Sequence, residues 1–119
     1  MSWDFPRATV TSVHDGDTLT VQVDLGFDTT RTANVRLLGL NAIELSKPGG
    51  KEARDNLATL VGTVVALHSV RWDKYGGRVD GSITLPDGTD LGKLLINTGW
   101  AAAWDGTGAA PTPPWPRNA

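Results

Sequence analysis

The chain has 119 residues, 39% of them apolar and 20% charged, which is enough for one domain with a modest core and too few for two. It holds no cysteine and two histidines, so disulfides and thiolate metal sites are excluded, zinc is disfavoured, and oxygen is left as the donor for any metal ion. The net charge of −2 argues against broad electrostatic capture of nucleic acid.

In chain order, residues 1–7 read as a loose lead-in. They carry no basic region and no apolar run, so no signal peptide or membrane span is expected and a cytoplasmic, monomeric protein is. Ala8 to Val13 predicts a first strand, Asp15-Gly16 a tight turn, and Thr18 to Val23 a strictly alternating second strand that completes a hairpin. Asp24 to Thr32 reads as a loop or a distorted hairpin tip. Ala33 to Leu40 is the third strand. Residues 41–50 are loop, since Pro48-Gly49-Gly50 fits no regular element.

Lys51 to Val61 predicts a helix with Ala53, Leu57, Leu60 and Val61 on one stripe and Gly62 at its stop. Thr63 to Arg71 is a fourth strand dense in β-branched residues, with His68 a structural member. Arg78 to Leu85 is a fifth. Asp90 caps a second helix with Leu91, Leu94 and Leu95 on one side and Gly99 beyond its end. Trp100 to Trp104 reads as a short apolar tail to a domain spanning residues 1–104, with Trp100 in the core and Trp104 bordering a groove. Residues 105–119 form a Pro/Gly-rich flexible or draped tail.

The third strand and its exit carry the chemistry. Val35-Arg36-Leu37-Leu38-Gly39-Leu40 turns Val35, Leu37 and Gly39 one way and Arg36, Leu38 and Leu40 the other. An arginine in such a strand needs a partner. Asn41 and Glu44 follow at once. A fixed cation, a carboxamide and a carboxylate on one segment suit a phosphate and a hard metal ion. Residues 31–78 carry a net charge of +4 between segments of −4 and −2, which places a basic groove on the same stretch; the alternative is a solvated surface.

The order DGDT (15–18), RLLGLNAIE (36–44), helix, DKYGGR (73–78) resembles the staphylococcal nuclease-like (thermonuclease) family over roughly residues 8 to 104. Five short strands with a helix between the third and fourth, and a second helix after the fifth, match a mainly β (α+β) OB-type barrel. Closure of the barrel is implied by the resemblance. So are the roles. Arg36 and Arg78 hold the scissile phosphate. Glu44 is the general base. Asp17, the Asn41 side chain and the Ala42 carbonyl bind calcium or another divalent ion. Lys74 and Tyr75 contact the terminal phosphate and sugar. The implied reaction is metal-dependent hydrolysis of DNA or RNA, preferably single-stranded, with little sequence specificity, leaving a 5′-hydroxyl and a 3′-phosphate.

Three positions depart from the family pattern. Asn41 stands where an aspartate is usual, Ile43 where a proline is usual, and KYGGR has one glycine more than KYGR. Each site residue also has a plainer reading. Asp15 and Asp17 serve as turn chemistry, Arg36 as a salt-bridge partner of Asp17 or Glu44, Glu44 as a helix cap, and Lys74 and Tyr75 as turn residues. The competing function is an OB-fold module with weak or no catalysis that binds single-stranded nucleic acid or a protein. A third reading is a structural component docked through its Pro-rich tail.

Overall fold

The computed structural model describes residues 3–72 and 78–113. Its elements are β1 (Trp3–Asp15), β2 (Thr18–Asp24), β3 (Thr30–Leu37), β4 (Leu40–Ala42), α1 (Gly50–Ala58), β5 (Val64–Trp72), β6 (Val79–Thr84), α2 (Leu91–Asn97) and β7 (Ala101–Ala103). Five strands close a barrel in the order β1-β2-β3-β6-β5, and β4 pairs with β7 as a separate two-stranded sheet. This is the expected OB-type barrel, with α1 between its third and fourth strands and α2 after its fifth.

The alternation along each strand builds the core. Val10, Leu19, Val21, Val35, Leu67 and Ile83 all point inward and are almost fully buried. Ala53 and Leu57 of α1 and Leu91 and Leu95 of α2 cover the barrel. Among the described residues no helix is long and apolar enough to cross a membrane.

Several boundaries differ from the sequence expectation, each for a local reason. β1 begins at Trp3, five residues early, because its first half pairs with β5 (Trp3 with Ser69, Phe5 with Leu67). Pro6 falls in the irregularity between Phe5 and Ala8, where the ladder is broken and needs no N–H from it. β3 begins at Thr30, after a tip in which Gly26, Phe27 and Asp28 all have left-handed φ.

The third strand also ends early. Gly39 has φ +84°, which a side chain would resist, and the chain turns there. Leu40 therefore does not share Arg36's outward face; it is buried and starts β4 against β7. β7 lies within what read as an apolar tail.

α1 is shorter than its apolar stripe suggested. It ends at Ala58, with the Thr59 hydroxyl donating to the Asn56 carbonyl at 2.7 Å, so Val61 lies beyond it and is 49% exposed. In α2 Asp90 caps as expected, accepting from the Lys93 N–H at 2.9 Å, but Leu94 faces out while Leu91 and Leu95 face in.

Candidate functional site

The site begins at the β1–β2 turn. Asp15 accepts from the Asp17 N–H at 3.1 Å, which is turn chemistry and sets Asp17 at the start of β2. The Asp17 carbonyl accepts from the Leu37 N–H at 2.9 Å, tying that turn to the end of β3. Its side chain points inward and is nearly buried. Oδ2 accepts from the Ala42 N–H at 3.0 Å and lies 3.3 Å from Arg36 Nη1; Oδ1 accepts from the Thr18 hydroxyl at 3.1 Å.

Burial pushes the Asp17 carboxyl up to about 6 from the ordinary 3.8. The hydrogen bond with Asp15 pushes the same way, and the Arg36 charge and the Ala42 N–H pull it back down. At neutral pH the group is mostly ionised beside Arg36.

Arg36 is level with Thr18 on one side and Asp80 on the other. Its guanidinium donates to the Leu37 carbonyl at 2.6 Å and the Leu40 carbonyl at 3.1 Å, so the turn at Gly39 wraps the side chain. With Asp17 it forms the salt bridge that was the plainer reading of this residue. The remaining face lines a cleft of about 160 Å³ together with Arg71, Arg78, Asp80, Trp104 and Asp105. Arg78 is half-buried and also lines a second, polar concavity of about 410 Å³ with Ser12, His14, Thr20 and Asn34. Arg78 thus lines both the concavity on β1, β2 and β3 and the cleft between the end of β3, β5 and β6.

Arg71 and Asp80 were not singled out from sequence. Arg71 Nε lies 3.2 Å from Asp80 Oδ2, while Asp80 Oδ1 is buried with no hydrogen-bond partner among the described residues. One signal was available: Asp80 is two residues from Arg78, and in a strand i and i+2 share a face. Trp104 borders the cleft as expected; its indole N–H donates to the Thr107 carbonyl at 2.9 Å and its backbone N–H to the Gly39 carbonyl at 2.9 Å. Trp100 packs against the core, also as expected.

Glu44 is exposed, and its carboxylate has no partner among the described residues. It does not line the arginine cleft. It lines a neighbouring cavity of about 380 Å³ with Asn41, Ile43, Lys47 and the segment from Ala110 to Pro113. Asn41 Nδ2 reaches the Pro111 carbonyl at 3.5 Å, so the tail drapes over this loop. Asp17 therefore touches both Arg36 and Ala42, Arg78 shares a cleft with Arg36, Asn41 lies beside Ala42 in β4 but faces the tail, and Glu44 stands on the loop beyond. Lys74 and Tyr75 lie outside the described residues.

The Glu44 loop is fixed against the start of α1. Its carbonyl accepts from the Lys47 N–H at 2.9 Å, and a Cβ on Gly50 would sit 2.0 Å from that same carbonyl oxygen. Gly50→Ala is expected to push Glu44 outward. Overpacking of this kind costs about 1–3 kcal/mol, so the variant should melt lower and lose turnover. Unchanged melting and turnover would show that the loop yields freely.

For a metal ion the donors fit in kind. The Asp17 carboxylate, the Asn41 carboxamide and the Ala42 carbonyl are all hard oxygen ligands, and Asp17 is held against the Ala42 peptide. They supply little charge. Among the described residues no group of three His, Asp or Glu side chains converges, and Asp17 already faces Arg36.

No protein-family model matches the chain. Two curated proteins do resemble it, one from Escherichia coli and one from Escherichia coli O157:H7, each 31% identical over 96 residues. Both bear the name "Uncharacterized endonuclease". The match covers 80% of this chain and 58% of each relative, so the chain spans little more than half the length of the proteins it resembles.

Proposed function

We propose that this chain is a nuclease of the staphylococcal nuclease-like kind, hydrolysing phosphodiester bonds of single-stranded DNA or RNA with little sequence preference. The observation that carries the reading is the shared cleft of Arg36 and Arg78, with Arg36 pinned by Asp17 and by two backbone carbonyls. A guanidinium held in advance, with a second in the same cleft, suits a phosphoryl group gaining charge, because the fixed group needs no reorganisation as the charge develops. The likeness to two endonucleases, so named, supports the same reading.

In this mechanism Arg36 and Arg78 clamp the phosphoryl oxygens. Glu44, unencumbered by any ion pair among the described residues, takes the proton from the attacking water. Lys74 and Tyr75 contact the terminal phosphate and sugar. Asp17, Asn41 and the Ala42 carbonyl would hold a divalent ion, calcium by preference, which would supply further positive charge for the phosphoryl group. Asn41 brings no charge, so Asn41→Asp is expected to tighten calcium binding about tenfold, since ligand charge count sets affinity in such sites. Calorimetric titration checks this, and equal affinities would remove Asn41 from the ligand set.

One observation favours a second reading, a barrel that binds single-stranded nucleic acid or a protein partner without cutting. Glu44 lines the cavity under residues 110–113 and not the arginine cleft. End-group analysis of a digested oligonucleotide tests the enzyme. Fragments with a 5′-hydroxyl and a 3′-phosphate are expected; an intact oligonucleotide, or the opposite ends, would refute the proposed reaction.

A further inference from the structure

The barrel has another concavity, at the end opposite the Asp15–Asp17 turn, where β1 begins, β2 ends, β3 begins and β5 ends. It encloses about 210 Å³, and its floor is the apolar interior of the barrel, including Phe5 and Leu67. Trp3 and Trp72 stand at its rim, 53% and 52% exposed. Two indoles left half in water are costly unless something covers them.

The remaining rim is cationic. Arg31 holds its guanidinium carbon 5.0 Å above the centre of the Trp72 ring, a cation–π contact that fixes both side chains. Arg71 lines the same mouth, and no carboxylate lines it among the described residues. Aromatic faces beside guanidinium groups suit a flat ring carrying a phosphate. The volume is below the roughly 300–1,000 Å³ of drug-sized pockets, which matches a single base.

Arg71 lines both this mouth and the arginine cleft. Along β3, Arg31 and Arg36 are five residues apart, about 17 Å at roughly 3.3 Å per residue, and point to opposite faces of the strand, so the path from the mouth to the cleft runs around the barrel edge past Arg71.

We propose that the mouth formed by Trp3, Arg31, Arg71 and Trp72 is a base-stacking subsite for a single strand of nucleic acid whose scissile phosphate lies at Arg36 and Arg78. The inference rests on the nuclease reading and names where the flanking strand goes. A base stacks at the indoles, and Arg31 and Arg71 meet its phosphates. Stacking accepts any base, so the subsite adds affinity without sequence preference.

The test measures binding of oligothymidylates of about two and about eight nucleotides by fluorescence anisotropy, with wild type, Trp72→Ala and Trp72→Phe. Trp72→Ala should weaken the longer oligonucleotide about tenfold and leave the shorter one unchanged. Trp72→Phe, which keeps a stacking ring, should retain most of the affinity. Equal melting temperatures separate lost stacking from lost fold. If Trp72→Ala binds the longer oligonucleotide as wild type does, the subsite is overturned while the nucleic-acid reading stands. If wild type binds neither oligonucleotide, both fall together.

Discussion

Arg36→Ala is expected to lose both turnover and stability, and the two losses have different causes. Under the proposed mechanism turnover falls because one of two phosphoryl partners is gone; removing a comparable donor costs about 10²–10³-fold. Stability falls because Asp17, nearly buried, is left without its cation, and breaking one side of a buried pair costs about 3–5 kcal/mol. The stability loss should depend on pH.

The Asp17 carboxyl already sits at about 6 against an ordinary 3.8, and Arg36 is one of the groups pulling it down. A carboxyl raised on folding opposes the fold once ionised. The penalty is absent below about 3.8, grows as pH rises through the folded value, and is complete above it. Removing Arg36 raises the folded value further, so the variant should lag wild type most at neutral pH and approach it in acid. Thermal melts at several pH values check this, and a gap independent of pH would mean that Asp17 is not what Arg36 stabilises. Arg36→Lys restores a charge but not the planar fork that reaches the Leu37 and Leu40 carbonyls at once. It should recover part of the stability and little of the turnover.

Glu44→Gln should separate the two properties completely. The side chain is exposed and has no partner among the described residues, so its loss should move stability by no more than about 0.5 kcal/mol. If Glu44 takes the proton from water, turnover should fall about 10²–10⁴-fold with binding intact. An active variant would remove Glu44 from the chemistry.

Where sequence reading succeeded, the information was local. Strict alternation gave β2 and the inward faces of the barrel strands, Asp15-Gly16 gave the turn, and Asp90 gave the cap of α2. Arg36 was legible because an arginine in an apolar strand must find a partner, and it found Asp17. Where reading failed, the deciding contact was distant. Pro6 is tolerated only because of the register of β1 on β5. Arg71 meets Asp80 because of a register shift between Ser69 and Arg71, which no pattern within either strand announces. The pairing of β4 with β7 joins residues some sixty positions apart and turns Leu40 inward. The draping of Pro111 over Asn41 is likewise invisible in composition, which says only that such a tail builds no core.

These distant contacts also shape the site. Arg36 is pre-set by carbonyls from a turn that Gly39 makes possible, so its position does not wait for substrate. Glu44 sits exposed on a loop between β4 and α1 that is held by backbone contacts, in a cavity it lines together with residues 110–113.

The most direct test is hydrolysis of denatured DNA by the pure, folded protein in calcium, in other divalent ions and in chelator, with Arg36→Ala alongside. Cleavage that needs a divalent ion and disappears in Arg36→Ala is the predicted result. It would place phosphodiester chemistry at this cleft despite Asn41. A folded wild-type protein that cleaves nothing with any ion would contradict the account and leave a barrel that binds without cutting.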